Sequence, residues 1–190
     1  KISTKINVIK NLIPKFDYLI FVGGMANNIL KYNKYNIGKS ISELNCDKLI
    51  DEIFSLSKNN NCKIIYPKDV LIGKNLEDKP QTKNVNELTN NDLILDIGPK
   101  TIEEVKNVLK NSKSVLWNGP AGFYENPDFS KGSFEIAKQI VDMNSNNKIY
   151  SVAGGGDTVA AINSFGLGKY FNFISTAGGA FLEFLEGKEL

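Results

Sequence analysis

The glycine run "AGGGDT" at residues 153–158 contains residue types that can bind an anion. Glycine has no Cβ, so the backbone N–H groups of Gly155 and Gly156 can approach a phosphate closely, and a helix that begins there adds unpaired N–H donors. A carboxylate beside a phosphate can hold Mg²⁺, because this ion keeps few protein ligands and takes phosphate oxygens as the rest. Asp157 therefore has two interpretations, a magnesium ligand or an ordinary helix N-cap.

A second polar segment, "WNGPAGFYE" at residues 117–125, also follows an apolar run. Asn118 offers a polar donor and Pro120 a rigid turn, ahead of the ring of Phe123 and the carboxylate of Glu125. Such a pair suits a nucleoside, since the ring packs on the base and the carboxylate accepts hydrogen bonds from ribose hydroxyls. The alternative is a simple strand-to-loop turn with a core aromatic residue.

The basic side chains are all lysines, because the 23 Lys+Arg residues include no arginine and the chain has no histidine. A Ser-His-Asp triad, a histidine-ligated zinc and a histidine general base are therefore excluded within this chain. Catalysis would have to use lysines, carboxylates, backbone N–H groups or a bound metal ion. Lys1 and Lys5 can share one helix face and neutralise a transferring phosphoryl group, although exposed lysines at this spacing are usually solvated.

Two familiar phosphate-binding motifs are incomplete. The segment "IGKS" at residues 37–40 ends like a Walker A loop, but the pattern needs glycine where the chain has Asn33. The segment "GGGDTV" begins like a dinucleotide fingerprint, but Val159 occupies the third glycine position. Neither a P-loop nor a conventional Rossmann cofactor site is supported.

The composition predicts one globular domain, with 190 residues of which 42% are hydrophobic and 23% charged. A net charge of +2 is too balanced to indicate a nucleic-acid or membrane partner. Cys46 and Cys62 form no CxxC pair, which favours a reduced compartment over a disulfide framework. With no long apolar run and no signal-peptide pattern, we expect a soluble, cytoplasmic protein.

Short apolar runs alternate with segments of helical periodicity, which is typical of an α/β fold. The runs are "DYLIFVG", "KIIY", "LILDIG", "SVLWNG", "KIYSVAG" and "FNFIST". They predict a three-layer, Rossmann-like domain with a mostly parallel sheet of about six strands flanked by helices. Residues 69–85 break the rhythm and predict a small hairpin. Helices are expected over residues 101–109, with Thr101 and Glu104 as a capping box, and near residues 47–57, 132–143, 157–165 and 179–185.

In open α/β sheets a ligand binds beyond the carboxyl ends of the strands. Five of the apolar runs end there in glycine-bearing or polar loops: "VGGMAN", "DIGPKT", "WNGPAGFYE", "AGGGDT" and "STAGGA". One such loop would be ordinary turn chemistry. Five on one edge predict a phosphate- or nucleotide-binding rim.

Taken in order, the segments "KISTKINVI", "VGGMANNIL", "IGKSI", "LDIGP", "WNGPAGFYE", "VAGGGDTVAA" and "STAGGAFLEFLEGKEL" closely resemble the phosphoglycerate kinase family. The resemblance covers essentially the whole chain and identifies residues 1–190 as the carboxy-terminal, nucleotide-binding lobe, without the amino-terminal lobe and the first strand. It implies a phosphotransferase with a carboxyl group as acceptor. In glycolysis the family interconverts 1,3-bisphosphoglycerate plus ADP with 3-phosphoglycerate plus ATP, using Mg²⁺.

The resemblance also implies roles for individual residues. Groups at the transferring phosphoryl would be Lys1, Lys5, Gly178 and Gly179. Nucleotide contacts would be Lys5, Gly23, Gly24, Ile41, Ile97, Asn118, Pro120, Phe123, Glu125, Gly155, Gly156, Asp157 and Thr158. The Mg²⁺ ligand would be Asp157. The chain departs from the family at Ala177, where glycine is common, and at Phe123, where the base pocket usually has an aliphatic residue.

Two expectations follow for the protein as a whole. Phosphoglycerate would be held by the missing lobe, so the fragment would bind ADP or ATP as a monomer without completing the reaction alone. The alternative is a non-catalytic nucleotide-binding or interaction module of the same fold. Recombination with a phosphoglycerate-binding lobe would discriminate between them, because only the enzyme would then form ATP.

Overall fold

A computed structural model describes residues 1–176 as alternating helices and strands. The helices are α1 (Ile2–Leu12), α2 (Gly23–Tyr32), α3 (Asp47–Asn59), α4 (Pro99–Lys110), α5 (Lys131–Asn144) and α6 (Gly156–Ser164). The strands are β1 (Tyr18–Ile20), β2 (Lys63–Ile65), β3 (Asp69–Gly73), β4 (Gln81–Asn84), β5 (Leu93–Ile97), β6 (Ser114–Trp117), β7 (Tyr150–Gly154) and β8 (Phe173–Ser175). Short 3-10 turns lie at Ile13–Lys15, Val85–Glu87, Pro127–Phe129 and Gly168–Tyr170.

Parallel pairing joins five of these strands, as the alternation of strands and helices predicts. β1 pairs with β2, and β6, β7 and β8 form a three-stranded sheet in that order. Each of the six apolar runs contains a strand, and helices flank the parallel strands. The α/β class is therefore confirmed.

The grouping of the strands differs from the single sheet that we expected. The described strands fall into three hydrogen-bonded groups, and the predicted hairpin is present as the antiparallel pair β3 and β4. β5 pairs antiparallel with β3, with Val70 opposite Ile97. The run "LILDIG" therefore belongs to the antiparallel sheet of the hairpin, and not to a parallel sheet.

The start of α4 corrects the predicted capping box. The helix begins at Pro99 with Gly98 as N-cap, one turn earlier than a box at Thr101 requires. The buried carboxylate of Asp69 accepts hydrogen bonds from the backbone N–H groups of Lys100 and Thr101, both at 2.9 Å, and from the Thr101 hydroxyl at 2.7 Å. A side chain from β3 thus satisfies N–H donors that a local cap would otherwise serve.

Three apolar clusters hold these elements together, and the smallest packs β3 against α2, with Leu30 and Val70 fully buried. A second lies between α4, α5, α6 and β6–β7 and includes Val105, Trp117, Ile140 and Ile162. The third packs α1, α2 and α3 around β1, with Ile2, Ile29 and Ile53 almost fully buried. Within residues 1–176, no helix is long and apolar enough to cross a membrane.

Candidate functional site

A cleft of about 460 Å³ lies beyond the carboxyl ends of β1, β5 and β6 and beside the start of α6. Four of the five predicted glycine-bearing or polar loops contribute residues to it, as the fold rule predicts, and the fifth, "STAGGA", extends beyond the described residues. Eleven residues given a site role from the sequence line it: Lys1, Lys5, Gly23, Gly24, Ile41, Ile97, Asn118, Pro120, Phe123, Glu125 and Asp157. The structure therefore brings together residues as distant in the sequence as Lys1 and Asp157.

Lys5 lies at the α1 side of the cleft. Its Nζ donates a hydrogen bond to Oδ1 of Asn118 at 2.9 Å, and Nδ2 of Asn118 donates to the carbonyl of Gly154 at 2.9 Å. Partial burial lowers the pKa of Lys5, while the nearby negative charge of Asp157 raises it. The arrangement places a partly desolvated ammonium group between a polar amide and a carboxylate, where its attraction for an anion is stronger than in bulk water.

The glycine run forms the start of α6. Gly155 is the N-cap with a φ of +92°, and a Cβ there would lie 3.0 Å from Nδ2 of Asn118, so both conformation and space favour glycine. Gly155, Gly156 and Thr158 are beside the cleft but are not among its lining residues. The buried hydroxyl of Thr158 accepts a hydrogen bond from the N–H of Gly119 at 2.6 Å, which ties α6 to the loop after β6.

Asp157 lies in the first turn of α6, and its side chain lines the cleft. The N-cap is Gly155, so the N-cap interpretation of Asp157 is wrong. In the described part of the chain no three metal-ligating side chains come together. A single carboxylate beside unpaired helix N–H groups fits a magnesium ion that takes its other ligands from phosphate and water, and does not fit an all-protein cage.

At the other end of the cleft, backbones approach each other closely. Gly23 has a φ of +63°, and a Cβ there would lie 2.9 Å from the carbonyl oxygen of Pro120. A Cβ on Gly122 would lie 2.2 Å from the carbonyl oxygen of Leu95. The same oxygen accepts a hydrogen bond from the N–H of Phe123 at 2.7 Å. The loop after β6 is therefore seated directly on β5.

Exposed side chains form the rim of this end. Ile41 is 78% exposed, and Glu125 is also exposed to solvent. The pKa of Tyr124 is raised by its burial and then by the charges of Glu125 and Asp157, which shows that both carboxylates act on the same region. Gly178, Gly179 and the helix expected at 179–185 lie outside the described residues.

Several lining residues had no role in the sequence-based site. They include Asn27, Asn28, Glu43, Leu76, Leu95, Asp96 and Tyr124. Asp96 carried a signal, because it is a charged residue inside the apolar run "LILDIG". Leu76 carried none, since its place beside the cleft depends on the hairpin between β3 and β4.

Asp96 is a buried carboxylate below the loop after β6. Its Oδ1 accepts a hydrogen bond from the N–H of Ile97, and its Oδ2 accepts one from the N–H of Gly132 in α5, both at 2.9 Å. Burial raises the pKa of Asp96 to about 7, against the opposing effect of these two backbone donors. The residue joins β5 to the start of α5, whose Ser133 hydroxyl accepts from the N–H of Ala121 at 2.8 Å.

The raised pKa predicts how stability depends on pH. Asp96 holds its proton more tightly in the folded chain than in the unfolded chain, where the pKa of its carboxyl group is 3.8. The stabilising contribution is therefore complete below pH 3.8 and is lost as the pH rises to about 7. At about 1.4 kcal/mol per pKa unit, the loss is on the order of 4 kcal/mol.

Asp96→Asn should accordingly flatten the pH dependence of the free energy of unfolding, measured with urea between about pH 4 and 8. The exposed Asp142 of α5 provides a matched control, and Asp142→Asn should keep the wild-type slope. Equal slopes for wild type and Asp96→Asn would contradict the assignment.

The fold and the cleft define an α/β domain with a cleft at the carboxyl ends of its strands. The family model for phosphoglycerate kinase matches residues 1–188. The chain belongs to the phosphoglycerate kinase family.

Individual relatives agree with this assignment. The phosphoglycerate kinase of Zymomonas mobilis is 44% identical over 192 aligned positions, which cover 100% of this chain and 48% of that protein. The solved structure of phosphoglycerate kinase from Coxiella burnetii matches with a TM-score of 0.94 at 38% identity, and that from Pyrococcus horikoshii with 0.76 at 25%. Both matches cover 100% of this chain and 48% of the other. The chain thus spans about half the length of the relatives it matches, corresponding to their carboxy-terminal half.

Proposed function

We propose that this chain is the nucleotide-binding half of a phosphoglycerate kinase and that its cleft binds ADP or ATP together with Mg²⁺. The observation that carries the proposal is the convergence of two lysines, a helix N-terminus, a carboxylate and an apolar rim on one cleft. The complete protein would transfer a phosphoryl group between 1,3-bisphosphoglycerate and ADP, giving 3-phosphoglycerate and ATP. We further propose that it does so as a cytoplasmic monomer.

The proposed site divides into a phosphate end and a base end. At the phosphate end, Lys1 and Lys5 would neutralise phosphate oxygens, and the first N–H groups of α6 would donate to them. Asp157 would hold the magnesium ion, which when bound supplies further charge neutralisation. At the base end, Ile41, Phe123 and neighbouring apolar atoms would pack on the base, and Glu125 would accept from the ribose.

Phosphoryl transfer needs little covalent chemistry from the protein, mainly in-line positioning of the reactants and stabilisation of charge. This chain's lysines and helix N-terminus can supply the second. The first also needs a bound phosphoglycerate, which we assign to the amino-terminal lobe of the complete protein. The chain alone is therefore expected to bind nucleotide without turnover.

A separate apolar groove of about 210 Å³ supports the proposal that a first strand belongs to this lobe. It lies between β1 and β6, and α1 and α4 also contribute lining residues, among them Val8, Leu12, Val105 and Leu109. Among the described strands, β1 pairs only with β2, and β6 pairs only with β7. Within residues 1–176, each therefore has one edge without a strand partner.

The order of the elements points to one occupant of this groove. A strand that preceded α1 would form a parallel βαβ unit with α1 and β1. In that unit α1, which packs along the groove, would be the crossover helix. We assign the groove to the extended segment that would precede Lys1 in the complete protein. This assignment fits relatives of about twice the length of this chain.

Lys5→Ala tests the phosphate end directly. Since hydrogen bonds to charged groups contribute about 1.5–3 kcal/mol, we expect the affinity for ADP in excess Mg²⁺ to fall about tenfold to a hundredfold, as measured by calorimetry. Lys10→Ala is the matched control, because Lys10 lies on the same helix but pairs with Glu52 at 2.6 Å, away from the cleft. Absence of ADP binding by the wild-type chain, or equal affinities for wild type and Lys5→Ala, would overturn the proposed site.

A further inference from the structure

Glu43 provides the cap that α1 lacks in its own sequence. The N-cap residue Lys1 makes no side-chain capping hydrogen bond, and the first turn contains no acidic residue. Oε2 of Glu43 accepts a hydrogen bond from the backbone N–H of Ser3 at 3.1 Å, and Oε1 accepts from the Ser3 hydroxyl. A carboxylate at this end of a helix is also favoured by the helix dipole. The two hydrogen bonds from Ser3, side chain first, lower the pKa of Glu43.

The backbone of Glu43 is fixed from the opposite side by α2. Nδ2 of Asn28 donates to the Glu43 carbonyl at 2.8 Å, and the Glu43 N–H donates to Oδ1 of Asn28 at 3.0 Å. Asn28 is only 6% exposed, so this reciprocal pair is protected from competing water. The neighbouring Asn27 donates from Nδ2 to the carbonyl of Ile41 at 3.0 Å.

Residues 41–43 therefore connect the two ends of the cleft. Their backbone is held by α2, the Ile41 side chain belongs to the base end, and the Glu43 carboxylate holds the first turn of α1. That turn carries Lys1 and leads directly to Lys5, and all four of these side chains line the cleft. A shift of the segment would move both the apolar wall and the lysines.

We propose that Glu43 is a positioning residue. It holds α1, and with it Lys1 and Lys5, in a fixed position relative to the base end of the cleft. The proposal rests on the nucleotide-binding function proposed above. It assigns Glu43 no contact with the nucleotide. We expect Glu43 to affect binding by way of Lys1 and Lys5. Its loss should therefore weaken contacts to the phosphates more than contacts to the base.

Three ligands separate these effects: ADP with Mg²⁺, inorganic tripolyphosphate and adenosine. For Glu43→Ala we expect about a five- to tenfold loss of affinity for ADP and tripolyphosphate, the size typical of a lost helix cap, with adenosine affinity unchanged. Glu43→Gln, which keeps one acceptor oxygen, should restore part of the loss. Glu52→Gln is the matched control, since it also removes a carboxylate that contacts α1, by way of Lys10, and should leave all three affinities unchanged.

Hydrogen exchange at the Ser3 amide gives a readout that needs no nucleotide. Exchange should accelerate in Glu43→Gln and Glu43→Ala but not in Glu52→Gln. Unchanged exchange at Ser3, or equal losses for adenosine and ADP, would overturn the positioning role. If the wild-type chain bound no ADP while Ser3 exchange responded as expected, the nucleotide-binding function would fail and the capping contact would stand.

Discussion

Replacing Asp157 by alanine is expected to remove the magnesium-dependent part of ADP binding. Because phosphate oxygens and water would complete the ion's coordination, Asp157 is the protein ligand on which the metal would depend. Loss of a residue that merely supports a metal ligand typically weakens metal binding tenfold to a hundredfold. We therefore expect the affinity for ADP in excess Mg²⁺ to fall by at least about tenfold in Asp157→Ala.

The same substitution should have the opposite effect when the metal is removed. With EDTA present, the Asp157 carboxylate would only repel the nucleotide phosphates, so Asp157→Ala should bind ADP as tightly as wild type or more tightly. Calorimetric titrations with and without Mg²⁺ measure both effects. Asp47→Ala is the matched control, since Asp47 is also an acidic residue in the first turn of a helix, α3, but does not line the cleft. An equal loss in Asp157→Ala with and without Mg²⁺ would contradict the ligand role.

A strand peptide that fills the groove between β1 and β6 is expected to stabilise the chain. The probe is a peptide of about ten residues with the sequence that precedes the matched half of the Coxiella burnetii enzyme. At a concentration about a hundredfold above its dissociation constant, binding to the folded state alone would contribute about 2.7 kcal/mol. For a chain of this size we expect the midpoint of thermal unfolding to rise by roughly 5–10 °C.

The control peptide carries proline at two central positions. Proline cannot donate to a sheet ladder, so a peptide that binds by strand pairing should lose its effect, whereas one that binds by general hydrophobicity should keep most of it. Equal shifts for the two peptides, or no shift for either, would contradict a strand-binding groove. A shift with the parent peptide alone would support the assignment of a first strand to this lobe.

Much of the fold could be predicted from local pattern. Buried parallel strands are continuous in apolar residues, so runs such as "SVLWNG" and "KIYSVAG" are visible without knowing their partners. The hairpin at residues 69–85 was also visible, because it interrupts the alternation of strands and helices. The pairing of β5 with β3 was not, since an apolar run of five residues is compatible with either a parallel or an antiparallel neighbour.

At two helices the capping group is distant in the sequence, so local capping patterns did not identify it. Thr101 and Glu104 have the spacing of a capping box, but the donors at the start of α4 are served by Asp69, 32 residues earlier in the sequence. At α1 the sequence has no cap, and Glu43 serves the Ser3 N–H from 40 residues away. In both cases the hydrogen-bonding requirement of a helix end was predictable, while its partner was set by packing.

The sequence by itself determined the chemistry available to this protein: lysines without arginine or histidine, glycine-rich loops after apolar runs, and Asp157 at the start of a helix. These follow from residue type and local order. Only the tertiary structure decided that Lys5 contacts Asn118 across 113 positions, that Asp96 is buried in the wall of the cleft, and that Glu43 lies against α1. The physical reason is that hydrogen bonds and burial depend on which elements pack against each other, and local sequence patterns do not specify that packing.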